Sequence, residues 1–159
     1  MIEKRELLIL AAVVVVIAVA SLYLAIPYFA APSIEIHDQY GKITPRVIGV
    51  YMMIHNHGFG QDCLVGVEMI SPMKMKAEIH RTVMSSGVAR MEPVDSICIP
   101  GRSEARLEPG GYHIMIMGNY TEIMDSIKEI VLILHFQRSG DIRITVPIKE
   151  TAQGSMHTH

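Results

Sequence analysis

The sequence predicts an all-β domain, a sandwich or barrel, preceded by one N-terminal transmembrane helix. Three observations predict it. Leu7 to Ala31 is an uninterrupted run without charge. Apolar residues in the rest of the chain recur with period two, the repeat of strands lying between a core and solvent. Turn-forming residues punctuate that alternation at short intervals, as they do in sandwiches and barrels.

The apolar run comes first in the chain. Its 25 residues, at about 1.5 Å of helical rise each, exceed the roughly 30 Å of a bilayer's hydrocarbon core. The rival reading is a cleaved secretory signal, because Lys4 and Arg5 precede the run and Ala18-Val19-Ala20 has the small-x-small form. Cleavage there would leave Ser21 to Ile26 as an apolar new terminus, and the later Phe29-Ala30-Ala31 is followed by Pro32, a poor neighbour for a scissile bond. An uncleaved anchor is therefore preferred. Under either reading Lys4 and Arg5 favour an inside N-terminus, which places Ser33 onward on the periplasmic or extracellular side of the cell membrane.

The strand candidates follow in order: Val47 to His55, Cys63 to Ile70, Lys76 to Arg81, Gly87 to Pro93, Ile97 to Ile99, Ala105 to Leu107 and Tyr112 to Met117. Asn56-His57-Gly58, Pro100-Gly101 and Pro109-Gly110-Gly111 separate several of them. A short helical turn is expected at Thr121 to Ser126. Ile130 to Phe136, apolar on both faces, reads as a central strand, and Asp141 to Ile148 alternates as a one-sided partner across Arg138-Ser139-Gly140, a hairpin signal. The expected organisation is a membrane anchor over 1–32, a β-domain over 33–150 and a flexible tail over 151–159. A net charge of −2, with both signs scattered, gives no footprint for nucleic acid. No nucleophile, base or paired-acid arrangement indicates an enzyme.

The chemistry lies in His80, Met91, His113 and Met115. Ten residues separate His80 from Met91, twenty-one separate Met91 from His113, and one separates His113 from Met115. Thioethers discriminate against zinc, calcium and magnesium and favour copper(I), whereas imidazole tolerates several metals. Alternation puts His113, Met115 and Met117 on one side of their strand, with His113 and Met115 roughly 6.5 Å apart along it. In Lys76 to Arg81, His80 lies with Lys76 and Glu78 on the expected solvent face. Taken singly, such residues are usually core filler or surface groups. Met52, Met53, Met69 and Met124 are expected to pack, as are Met84 and Met117, which also lie close enough to the motif to serve as spare ligands.

The whole pattern, His-x10-Met-x21-His-x-Met, resembles the defining motif of the periplasmic CuA copper chaperone family (PCuAC). Tyr51 to Gly58, Gly87 to Val94 and Leu107 to Gly118 resemble that family's flanking blocks, so the likeness covers almost all of the region beyond the anchor. The resemblance implies a cupredoxin-like β-sandwich that holds one Cu(I) through His80, Met91, His113 and Met115. It implies delivery to the CuA site of cytochrome c oxidase, with oxidase subunit II or an assembly factor as partner and a monomeric carrier. Neutral ligands without a thiolate suit a protein that must release its metal by ligand exchange. The alternative is storage or detoxification by the same ligands. An electron-transfer cupredoxin would need a Cys at the site, and neither Cys adjoins the His-x-Met triplet.

Cys63 and Cys98 stay open. An oxidising compartment permits a bridge, but alternation aligns Cys63 with Val65, Val67 and Met69, apparently facing the core, and sets Cys98 opposite Ile97 and Ile99. The tail residues Met156, His157 and His159 repeat the same ligand vocabulary and are candidates for a second copper ion. His55 and His57 share a strand parity that suits a weak surface site, yet with Asn56 and Gly58 they read first as a strand end and turn. His37 and His135 carry no readable signal.

Overall fold

Alternation is the pattern that the chain converts into strands. A computed structural model describes residues 4–149 except 86 and 124, with backbone only over 26–29. Among the described residues there are one helix, α1 (Lys4–Phe29), and ten strands: β1 (Ile34–Ile43), β2 (Val47–Asn56), β3 (Asp62–Ser71), β4 (Met75–Ser85), β5 (Val88–Pro93), β6 (Ile97–Ile99), β7 (Ser103–Leu107), β8 (Tyr112–Met117), β9 (Glu129–Phe136) and β10 (Gly140–Pro147). The stretch Lys4–Ala25 of α1 is long and apolar enough to cross a membrane and is buried nowhere against the domain. An apolar helix this exposed requires lipid or another apolar partner.

The strands order as β1-β2-β7-β8-β4-β3-β9-β10, with β5 paired to β4 and β6 to β3. Strand β2 pairs with β7 along its second half and with β8 along its first. A bridge between Gly41 and Ile148 brings the two ends of the path together. The result is a nearly closed, cupredoxin-like β-barrel whose interior holds Ile48, Ile54, Leu64, Ile114, Leu132 and Leu134, all inaccessible to solvent. Strand β9 lies between β3 and β10, and β9 and β10 form the expected hairpin, with Gly140 taking the left-handed conformation (φ 74°) that a side chain resists.

That hairpin is tied to β3 by one buried carboxylate. Asp62 Oδ1 accepts the backbone N–H of Cys63 (2.8 Å) and Arg138 (2.9 Å), and Oδ2 accepts that of Ser139 (2.8 Å). Burial alone would push the Asp62 carboxyl up, but the bonds from Ser139, Arg138 and Cys63 together hold it below its ordinary value. A carboxyl depressed in the native state adds stability above the unfolded value of about 3.9, and that increment is lost as pH falls through the lower folded value. Asp62→Asn is expected to cost about 1–3 kcal/mol at neutral pH, because its amide would face an N–H donor. Urea denaturation of the full chain in detergent should show the deficit shrinking below about pH 4.

Three expectations change. Strand β1 was not foreseen: Ile34 to His37 alternates, but Asp38 adopts a positive φ (54°) and a register shift between His37 and Tyr40 breaks the period. The short helical turn expected at Thr121 to Ser126 is present, with Ile123 N–H donating to Tyr120 C=O and both Ser126 N–H and Ile127 N–H donating to Ile123 C=O, between the buried Tyr120 and Ile127. Cys63 does not face the core. A bulge between Leu64 and Gly66 flips the alternation, so Leu64, Val67 and Met69 enter the core while Cys63 turns to the opposite face. There it lies directly across from Cys98 and is disulfide-bonded to it. Finally, Met84 and Met117 are 71% and 53% exposed rather than packed, because β5 and the end of β4 project beyond the core and Met117 closes the outer side of β8. Met52 and Met69 are buried as expected, Met53 is half-buried, and Met124 lies outside the described residues.

Asn56, fully buried at the end of β2, donates to the carbonyls of Gly60 (2.7 Å), Ile99 (3.2 Å) and Pro100 (3.2 Å). It accepts from the N–H groups of Ser33 and Gly58, both at 3.1 Å. Arg138 donates to the carbonyl of Ala30 (2.7 Å). The segment following α1 is thus bound to this end of the barrel.

Candidate functional site

Strand pairing gathers the four candidate ligands on one outer face. His80 on β4 stands directly opposite His113 on β8, and Met115 opposite Glu78. Met91 on β5 stands opposite Thr82, two residues along β4 from His80 and on the same face. The His80 and His113 rings lie 6.0 Å apart between centroids.

His80 has the strand parity and the outer face expected for it, but its own imidazole is covered. It is only 8% exposed and His113 only 4%. Strand β4 is flanked by β8 and β5 here, so each imidazole shields the other. Their outer nitrogens are fixed. His113 Nδ1 lies 3.1 Å from the Gly111 carbonyl, and because a carbonyl only accepts, the proton sits on Nδ1 and the lone pair on Nε2. The same carbonyl accepts the Thr82 N–H (3.1 Å), locking the Pro109-Gly110-Gly111 turn to β4. His80 Nε2 lies 3.1 Å from the Glu78 carboxylate, which leaves the lone pair on Nδ1. The inner nitrogens, His80 Nδ1 and His113 Nε2, are buried and have no hydrogen-bond partner among the described residues.

Two orphaned acceptors are costly in a folded protein unless something fills the place of the partner. Imidazoles oriented through their other nitrogen by a carboxylate or a backbone carbonyl are the usual supporting arrangement of metal-binding histidines. Met91, in contrast, is 61% exposed and Met115 half-buried. The donor set is therefore a covered pair of nitrogens with one thioether at the solvent boundary and another beside it. A soft monovalent ion fits these neutral donors, and Glu78, bonded to His80, supplies the nearby negative charge.

A groove of about 300 Å³ leads to the site past Gly49, Tyr51, Met91, His113 and Met115. Gly49 stands opposite Met115. A Cβ there would lie 3.1 Å from the Tyr51 hydroxyl, so glycine keeps room for the phenol and leaves the groove open in front of the thioether. Tyr51 lies 6.3 Å from the His113 ring. Burial, with Tyr40 adding to it, raises the Tyr51 phenol above its usual range, so it stays protonated and neutral at physiological pH.

Glu78, Gly111, Gly49 and Tyr51 carry no ligand signature, and sequence reasoning missed them. The one available signal was the placement of Glu78 two residues before His80 on the same strand face. Met156, His157 and His159 lie outside the described residues.

The fold is that of a PCuAC-like β-domain, here behind an apolar helix. A copper-bound PCuAC domain from PmoF2 superposes with a TM-score of 0.59 at 18% identity, covering 76% of this chain and 97% of that one. An apo PCuAC domain from PmoF1 gives 0.57 at 18% identity, covering 76% and 100%. The resemblance drawn from the motif is borne out in the fold. The family model described as "Putative lipoprotein LpqE-like" matches residues 34–148, and the chain belongs to that LpqE-like family. It is also 31% identical over 98 residues to a putative lipoprotein of Leifsonia xyli subsp. xyli, an alignment spanning 61% of this chain and 57% of that relative.

Proposed function

We propose that this protein is a membrane-tethered, extracytoplasmic Cu(I) metallochaperone that delivers copper to the CuA site of cytochrome c oxidase by ligand exchange. The observation that carries the copper reading is the pair of buried nitrogens, His80 Nδ1 and His113 Nε2, left without a partner among the described residues, on the face that also bears Met91 and Met115. Copper is the metal named for the PmoF2 domain of the same fold. The metal here is cargo. The protein's part is to hold it with neutral donors, to keep the imidazoles oriented through Glu78 and Gly111, and to leave Met91 exposed as the first ligand an acceptor can replace.

The tether is α1, and the domain acts as a monomer. Lipoprotein relatives fit membrane association, and the apolar helix, long enough to cross a bilayer, supplies the anchor in this reading. The acceptor is a Cys- and His-bearing oxidase subunit II or an assembly factor that passes copper on to it. Its ligands approach through the groove past Gly49.

The test is titration of the full chain in detergent with Cu(I) against a chromophoric chelator under reductant, followed by mixing with an apo fragment bearing the CuA ligands. One tightly held ion that moves to the fragment is the expected outcome. Failure to compete with the chelator would refute the site. Tight binding without transfer would assign the protein to copper storage or detoxification instead.

A further inference from the structure

A second cluster of ligating groups lies at the other end of the same barrel face. Glu35 on β1 stands opposite His55 on β2. His57, just beyond β2, brings Nε2 to 2.8 Å from Glu35 Oε2, and His37 brings Nε2 to 3.5 Å from Glu35 Oε1. One ligand atom from each of Glu35, His37 and His57 lies within 4.8 Å of the other two. Bonds of about 2.0–2.2 Å to one ion would need donors roughly 3–3.6 Å apart, so only a small side-chain adjustment closes the set.

The cluster is held in place. The His57 ring stacks on His55 at 4.1 Å between centroids and 12° between planes. The His57 main chain is fixed at both ends, its N–H donating to the Ser33 carbonyl (2.8 Å) and its carbonyl accepting from Arg102 (2.9 Å). Glu35 and His37 are two apart on β1, so their side chains share a face.

We propose that Glu35, His37 and His57 form a second metal site, distinct in kind from the first, that takes a divalent first-row transition ion and holds copper(II) most tightly. Two imidazoles and one carboxylate form a borderline-to-hard donor set that suits divalent ions, for which affinity peaks at copper in the Irving–Williams order. The carboxylate cancels one charge of a dication, whereas the His80 site offers neutral donors for a monocation. His55 acts as a positioning residue, its ring stacked on His57. The residues from Gly49 to His55 separate the sites by roughly 20 Å along β2, so each loads independently. The second site lies at the end of the barrel where the segment from α1 attaches.

The test uses the full chain in detergent under non-reducing conditions, with copper(II) alone as probe. His157→Ala and His159→Ala are present in every sample to remove the tail's imidazoles. In that background, His37→Ala with His57→Ala is expected to bind one copper(II) fewer at saturation and to lose the nitrogen-coupled EPR signal of that ion. Glu35→Gln should weaken the same ion by about 10–100-fold. Thermal unfolding and Cu(I) uptake under reductant should match the parent chain, which separates this outcome from any failure of the Cu(I) reading. Equal copper(II) stoichiometry and equal spectra in parent and double variant would overturn the proposal.

Discussion

Replacing Met91 and Met115 together with alanine is expected to lower Cu(I) affinity by at least about 100-fold, beyond the 10–100-fold typical of losing only a supporting residue around a metal. Unfolding temperature should hardly move. The two effects separate because of where the thioethers sit. Met91 is 61% exposed on β5, every residue of which is exposed, so truncating it opens no cavity and falls within the roughly ±0.5 kcal/mol of ordinary surface changes. Met115 is half-buried beside the open space at Gly49. The corresponding histidine variants make a poorer test, since His80 and His113 are buried and their removal disturbs packing as well as ligation. A competition titration in detergent reads the affinity, and a melt of the same samples reads the fold. The affinity falls because soft sulfur is what makes cuprous ion the preferred guest. The two imidazoles that remain, and the separate Glu35, His37 and His57 cluster, should still take divalent ions, so Cu(I) retention against the chelator must collapse while copper(II) binding persists. Unchanged Cu(I) affinity in the double variant would remove Met91 and Met115 from the site.

Much of this site is legible in the sequence because its ligands lie on strands, where parity is read directly from the residue order. His113 and Met115 share a face for that reason, and so do His80 and Glu78. The parity of His80 was right and its solvent exposure was not, because exposure depends on the strand opposite. Only the pairing of β4 with β8 reveals that His113 covers it. The fold class followed from the same alternation, and failed only where the backbone breaks period. The positive φ at Asp38 hid β1, and the bulge between Leu64 and Gly66 reversed the facing of Cys63. Neither feature leaves a local signature strong enough to read. The cluster of Glu35, His37 and His57 was legible only in part: the shared parity of His55 and His57 suits a surface site, but His37 means nothing until β1 is known to pair with β2. Supporting groups are the least legible class: the role of Gly111 rests on a main-chain carbonyl, which every residue has.

Removing the disulfide, by Cys63→Ala with Cys98→Ala, is expected to destabilise the full chain by about 3–4 kcal/mol in the chain-entropy model, given the separation of 35 residues between the two cysteines. For a β-domain of this size that corresponds to a fall of roughly 10–20 °C in unfolding temperature. The bond joins β3 to β6, a strand of three residues, Ile97–Ile99. So short a strand has few ladder hydrogen bonds to hold it, and Ile97 and Ile99 reach the core only while it stays paired. The crosslink therefore stabilises two apolar residues besides closing a loop. That loop contains β4 and β5, hence both His80 and Met91. The cross-strand pairing of β4 with β8 still positions the histidines in the native state, so Cu(I) affinity measured well below the melting transition should stay within about tenfold of the parent, the smaller end of outer-shell effects. Assay of the denatured, unreduced parent chain should find no free thiol. A melt that does not shift in the double variant would show that β6 is held by its core residues alone. Loss of Cu(I) binding at temperatures where the variant is folded would show that the disulfide, and not the β4–β8 ladder, sets the ligand geometry.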